Sequence, residues 1–121
     1  MNKADKIQQV LDEWKHEYGF GHPIIFLGWA EMINSDTGAP ILGKCIYYRN
    51  LSCCIIMGHK FKNRPLGWRE KSVLWHEFCH ACAWQEDGED DAHNNHWKDL
   101  RRRKPHYVLG DWVAKMIYRF L

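Results

Sequence analysis

No hydrophobic run in this chain of 121 residues is long enough to cross a bilayer. The longest, Pro23 to Ala30, falls far short of the roughly 20 apolar residues that a membrane helix needs. No apolar stretch follows the N-terminal Met-Asn-Lys-Ala-Asp-Lys, so no secretory leader is expected. A dominant charge is missing too. Seventeen Lys and Arg against fifteen Asp and Glu leave +2, too mild a balance to identify a nucleic-acid partner by itself. Repeats, low-complexity tracts and linkers are absent, and with the length this argues for one domain over 1–121. The five cysteines (45, 53, 54, 79 and 82) are odd in number and lack the spacing of a disulfide framework. A cytoplasmic chain with reduced thiols and no membrane partner is expected.

What the chain has in excess is tryptophan. Seven in so short a sequence promise a dense core or an adhesive groove. Ile7, Val10, Leu11, Trp14 and Tyr18 recur at helical spacing, and Gly19 and Gly21 end the pattern. Three apolar, β-branched stretches follow, at about 23–31, 41–48 and 52–58. The segment Asn34 to Pro40 reads as a turn or loop, and Arg49-Asn50 as the turn between the second and third stretches. A three-stranded, mainly antiparallel sheet is expected. Residues 59–67 read as a loop, and a central helix should run from about Trp68 to Gln85, with Gly88 beyond its end. An acidic loop, Glu86 to Asp91, leads to a short helix after His93 that Pro105 breaks. The last helix places Leu109, Trp112, Val113, Met116, Ile117 and Phe120 on one expected buried face. The class is α+β.

The central helix carries His76-Glu77-Phe78-Cys79-His80, a match to H-E-x-x-H. Positions four apart on a helix differ by about 40° in azimuth, so both imidazoles face one side and can share a metal. Glu77 stands on the flank, within reach of a water but outside the ligand set. Zinc would bring such a water to a pKa of about 7, and the glutamate would take its proton and later pass one to the departing amine. From Val73 to Trp84, every residue except His76, Glu77 and His80 is apolar, cysteine or alanine. A helix apolar almost all round is normally buried, and three ionisable groups in one wedge of it need partners or a metal. The competing explanation is a hydrogen-bonded pair of core histidines with Glu77 in an ion pair.

A site of this type needs a third protein ligand. The longer pattern H-E-x-x-H-x-x-G-x-x-H would need a glycine at position 83 and a histidine at 86, but the chain has Ala83 and Glu86. A glutamate on a later helix is excluded, because the last one, Glu89, lies only nine residues past His80. His93, His96, His106 and the aspartates remain. Asp90, Asp91 or Asp99 would suit as hydrogen-bond partners that orient the imidazoles. Tyr107 or His106 would suit an oxyanion only if the C-terminal segment folded over the cleft.

The run His76-Glu-Phe-Cys-His80-Ala, an acidic loop, then His93-Asn-Asn-His-Trp97 resembles the SprT-like metallopeptidases. Their pattern is H-E-x-x-H, a variable loop, and H-G-x-x-[FW] at the start of a helix. The order helix, small sheet, helix covers most of the chain, and Gly43 to Tyr48 with Ile55 to Met57 resembles the strand region beside the active cleft. The resemblance implies His93 as third ligand, one Zn2+ per chain, Trp97 as an aromatic anchor, and zinc-dependent cleavage of a protein or peptide substrate. In the family's eukaryotic branch the targets are proteins on DNA. Asn94 stands where the pattern has glycine, and no cysteine beyond Cys82 offers a zinc ribbon. His96, three positions after His93, has its own explanation as a solvent-facing or acid-paired residue, which places His93 ahead of it.

Cys79 and Cys82, one helical turn apart, have poor disulfide geometry, and small buried apolar roles suit all five cysteines better. Two segments concentrate positive charge: Lys60, Lys62, Arg64, Arg69 and Lys71, then Lys98, Arg101, Arg102, Arg103 and Lys104. If they converge they form a phosphate-binding surface, with Trp68 free to stack on bases, giving DNA contact with little sequence preference. The alternative to the peptidase is a non-catalytic, zinc-stabilised DNA- or protein-binding module. The intact Glu77 favours the enzyme, because a structural metal has no use for a carboxylate beside it.

Overall fold

The computed structural model describes residues 1–88 and 93–119, and of Arg119 the backbone only. Helix α1 (Lys3–Tyr18) opens on Asn2, whose side chain accepts the Asp5 N–H at 2.8 Å, and closes where the Gly19 N–H returns to Lys15 O. Such an acceptor satisfies one of the N–H groups that a helix start leaves unpaired. Ile7, Leu11 and Trp14 are buried on one face, as their spacing predicts.

Strands β1 (Ile24–Ala30), β2 (Gly43–Tyr47) and β3 (Cys53–Gly58) form one sheet in the order β1-β3-β2. β3 is antiparallel to β2 but parallel to β1. The α+β class holds, while the expectation of a mainly antiparallel sheet gives way to a mixed one. The connection explains it. Residues 31–42 carry the chain past the position next to β1, across two strand spacings or roughly 10 Å. The turn at Tyr48–Ser52 then feeds β3 into the gap, running the same way as β1. The Asn34–Pro40 turn signal is genuine, but it closes on itself. Ile33 bridges Pro40, and the Asn34 side chain accepts from the Asp36 and Thr37 N–H groups.

One side chain pairs with two backbone groups on the outer edge of β1. Gln8 of α1 donates to Ile24 O at 2.9 Å and accepts from the Phe26 N–H at 2.8 Å. Those two backbone groups point away from β3, so a single amide pairs with β1 as a neighbouring strand would.

A 3₁₀ turn (His59–Phe61) leads to α2 (Trp68–Asp87), which packs against β2 and β3 and also against α3 (Asn95–Arg101) and α4 (Pro105–Arg119). Pro105 both ends the preceding pattern and begins α4, a position where its missing N–H is not needed. Trp75 and Phe78 of α2 stack at 5.4 Å, and Trp14 sets its edge on both, at 5.1 and 5.5 Å. Full burial stabilises by roughly 1.5–3 kcal/mol per large apolar side chain, before the ring geometry adds its smaller share. Cys53, Cys79 and Cys82 are buried and all five thiols are free, in keeping with their role as small apolar groups. Burial pushes the Cys79 and Cys82 thiols up, away from reactivity.

The buried face of α4 is not the expected one. Leu109, Trp112 and Met116 are exposed, Val113 and Ile117 are half-buried, and Phe120 lies outside the described residues. Gly110, Asp111, Ala114 and Tyr118 face inward instead. Small residues let the α4 backbone close onto α2, and that approach brings Asp111 to the site.

Candidate metal centre

α2 presents His76 and His80 on one side, with their Nε2 atoms 3.2 Å apart. Thirteen residues later the chain returns with His93, at φ 60, immediately before α3. Asn94 fixes that return. It caps α3 by accepting the Trp97 N–H at 3.0 Å and donates to Asp87 Oδ2 at 2.7 Å. Where the family pattern has glycine, this chain therefore has a capping residue of ordinary φ, −66°. The three imidazole centroids stand 4.9, 5.3 and 5.0 Å apart, and one nitrogen from each ring lies within 4.8 Å of the others. The three rings can thus hold a metal ion.

Trp97 is the plate behind them. It is buried, stacks on His93 at 4.1 Å and on His80 at 5.3 Å, and donates its Nε1–H to His76 O at 3.2 Å. Burial, and then the neighbouring histidines, push the His80 pKa down to about 3. His93 is lowered too, by burial first, then by His76 and by the Lys115 and Arg101 charges. Both rings are neutral at physiological pH, the form that offers a lone pair.

His76 Nδ1 lies 3.0 Å from Asp111 Oδ2. Asp111 is fully buried, and Lys115 at 3.1 Å and Arg101 at 3.6 Å contact the same oxygen. Burial alone would raise the Asp111 carboxyl, but the His76 hydrogen bond and the adjacent positive charges bring it below its ordinary value. It is therefore an anion that takes the Nδ1–H of His76 and leaves Nε2 facing the other two histidines. Sequence reasoning missed Asp111. The available signal was an acid between Gly110 and Ala114, on the small-residue face of a largely apolar helix. Of the acids named for this role, Asp99 is exposed and Asp90 and Asp91 lie outside the described residues.

Glu77 is buried, with Oε1 3.9 Å from His76 Nε2 and Oε2 without a hydrogen-bond partner. Burial, reinforced by the Asp111 charge, raises its pKa to about 7 against the pull of His76. Gly43 of β2 lies so close that a Cβ there would sit 2.9 Å from Val73 Cγ1 and 3.0 Å from Glu77 Cγ. A cleft of about 360 Å³ opens beside Glu77, between residues 39–43 and α4.

The remaining candidates are elsewhere. His96 is exposed and pairs with Asp87 at 2.6 Å and Glu86 at 3.5 Å, which raises its pKa. Tyr107 is turned into the aromatic core against Trp14, and His106 is exposed beside it, so neither approaches the imidazole cluster. The two basic segments do not converge. Lys62 and Arg64 share a groove with Lys3 and Lys6 at the start of α1, while Lys104 pairs with Glu17 and Arg103 lies over Tyr18 at its end. A helix of sixteen residues holds them roughly 20 Å apart. Several of these cations are also engaged within the chain: Lys60 with Tyr118 O, Arg64 with the Tyr118 hydroxyl, and Arg101 over Trp97. Arg69 and Arg102 are exposed. Among the described residues no helix is long and apolar enough to cross a membrane.

Neither a curated protein nor a solved structure matches the chain. The sequence pattern of the SprT-like family matches residues 7–107, from the first buried residue of α1 to the start of α4. That span takes in the three histidines, Glu77 and Trp97, and by it the chain belongs to the SprT-like family.

Proposed function

We propose that the protein is a zinc metallopeptidase, with one zinc per chain held by His76, His80 and His93 and with Glu77 as general base. One observation carries this reading: a buried carboxylate with an unpartnered oxygen is set beside three converging imidazoles at the mouth of a cleft. A structural metal needs only its ligands, whereas proton transfer to and from water needs such a group. The donor set suits zinc. Three imidazoles with a fourth position left open are the pattern of catalytic sites, and Zn–N bonds of about 2.0–2.1 Å in a tetrahedron separate nitrogens by about 3.3 Å. The 3.2 Å between His76 and His80 agrees with that spacing.

Bound zinc would supply Lewis acidity, polarising a carbonyl and acidifying water. The chain supplies the rest. Asp111 fixes the tautomer and orientation of His76, and Trp97 holds the three rings from behind. Glu77 takes a proton from the attacking water and delivers one to the amide nitrogen as the C–N bond breaks. β2 is the sheet edge next to α2, and an extended peptide can lie along it and present its backbone to the site.

Metal content tests the assignment. Protein purified without added metal should carry about one zinc per chain. His93→Ala should lose it, while His96→Ala should keep it, because His96 is bonded to Asp87 instead. The loaded protein should cleave an unstructured protein such as reduced casein, and a chelator should stop it. Zinc lost with His96 and kept with His93 would overturn the ligand set.

A second reading, DNA contact, is favoured by the groove where Lys62, Arg64 and Lys71 join Lys3 and Lys6. It needs the first basic segment alone. Single-stranded DNA should then bind with an affinity that falls with salt, by a logarithmic slope of about −0.7 for each phosphate neutralised. Lys62→Glu combined with Lys71→Glu should flatten that slope, measured by fluorescence anisotropy. An unchanged slope would remove the groove from consideration.

A further inference from the structure

The cleft beside Glu77 has a chemistry distinct from that of the metal ligands. Resting on the peptidase reading above, we propose that it receives the side chain of the substrate residue following the cleaved bond, and that it selects large apolar residues there.

Its sidedness follows from the proton. Hydrolysis joins the water oxygen to the carbonyl carbon and breaks the C–N bond. One water proton passes through the Glu77 carboxylate to the nitrogen, which leaves as an amine, and Glu77 ends as it began. The residue that owns this nitrogen must therefore sit on the Glu77 side of the site. The cleft is lined by Glu77 and His76, and neither His80 nor His93 borders it. A side chain that begins two bonds from the leaving nitrogen has this cavity as its nearest space.

Its selectivity follows from the walls. Pro40, Ile41 and Leu42 form one side and Val73 of α2 part of the other. About 360 Å³ is at the lower end of the range for ligand pockets and is ample for an aromatic ring or a branched aliphatic chain. At the α4 rim Lys115 Nζ is paired with Asp111 Oδ2 at 3.1 Å, and the other Asp111 oxygen is buried. An arginine or lysine would meet the Lys115 ammonium. An aspartate or glutamate would meet Glu77 and Asp111 and lose hydration against apolar walls. The outer wall is preformed. Asn34 N–H bonds Ala39 O at 2.9 Å, Gly38 N–H bonds Asn34 O at 2.8 Å, and Ile41 N–H bonds Met32 O at 2.9 Å. A ligand entering such a cavity has little loop to order.

The test uses the zinc-loaded full chain and mass-spectrometric mapping of cuts in a library of unstructured peptides. Wild type should favour Leu, Ile, Met and Phe immediately after the cut over Gly, Asp and Lys by about tenfold or more, the discrimination an apolar pocket can give. Ala39→Trp, which fills the cavity from its loop wall, should reduce that preference to about threefold or invert it toward small residues. Ile41→Ala, which widens the cavity and keeps the assay interpretable should the tryptophan variant fail to fold, should shift preference from Leu toward Phe and Trp. A preference that neither variant moves, one that lies before the cut, or one for charged residues would overturn the proposal.

A binding readout separates it from the peptidase reading. In zinc-loaded Glu77→Gln, a short peptide with N-terminal Leu should perturb the Ile41 and Val73 methyl resonances, and one with N-terminal Asp should not. Selective binding by a protein that cuts nothing would keep the pocket and sink the peptidase. Cutting with no preference at the following residue would do the reverse. Neither cutting nor selective binding would sink both.

Discussion

Glu77→Gln should leave about one zinc on each chain while lowering kcat/KM by about 10³-fold, within the span usual for loss of a general base. The amide matches the carboxylate in shape, so Gly43, which lies against it, need not move. The three imidazoles are untouched, and zinc content should stay with them. What disappears is the ability to take and return a proton. Normal zinc content with a wild-type rate would remove Glu77 from the chemistry.

The same substitution has a signature without turnover. In the metal-free protein burial raises the Glu77 pKa to about 7, above its ordinary 4.5. The folded state therefore holds this proton more tightly than the unfolded state. The stability it contributes is full below pH 4.5 and is lost as pH rises from 4.5 through 7. Metal-free Glu77→Gln carries no such loss, so its melting temperature should gain on that of wild type across this interval. A divalent cation favours the ionised carboxylate, so the acid limb of the loaded enzyme's rate profile should fall below pH 7.

The second large effect lies behind the site, where α4 packs on α2. Gly110→Val should yield no folded protein, and Gly110→Ala should lower stability by about 3 kcal/mol, the upper part of the range for overpacking a core. A Cβ at Gly110 would stand 1.9 Å from Ser72 Oγ, 2.7 Å from Ser72 Cβ and 2.9 Å from the Trp68 ring. None of these can give way cheaply. Ser72 is fully buried with its hydroxyl donating to Trp68 O, and the Trp68 indole N–H is bonded to His106 O. Relief must come from α4 moving off α2, which carries Asp111 away from His76. Zinc affinity should therefore fall together with urea stability. Ser72→Gly removes both Ser72 atoms from the path, and pairing it with Gly110→Ala should recover about 1 kcal/mol or more beyond additivity. Strict additivity in that cycle would place the clash elsewhere.

The parts of the fold that a short stretch of chain determines were legible beforehand. α1 declares itself by its own 3.6-residue period, and α2 by three ionisable residues in an apolar run between Trp68 and Gly88. The return of His93 was legible only through the family resemblance that runs from His93 to Trp97, and in the structure the Asn94 cap ahead of α3 makes that return. What depends on distant partners was not. The direction of β1 relative to β3 is set by where residues 31–42 deliver the chain, a matter of three-dimensional path rather than of alternation. The face of α4 was misjudged because its large apolar residues were weighed above its small ones. Close approach to α2 uses Gly110 and Ala114 and leaves Trp112 and Met116 outside. The ion pair of Lys104 with Glu17 likewise joins residues remote in sequence, which is why the second basic segment looked available for phosphate.

One amide of Gln8 occupies part of a sheet edge. With it in place, Ile24 O and the Phe26 N–H of β1 are paired within the chain, and β2 is the more open edge for another chain. Without it the molecule would have two unlike edges on opposite flanks of one sheet. A β1 edge pairing with the β2 edge of another copy makes a head-to-tail contact, which repeats without closing and grows into a filament. Ile25 and Leu27, already exposed on β1, would add apolar surface to each junction. Gln8 and the rest of α1, packed along β1, stand in the way of that contact.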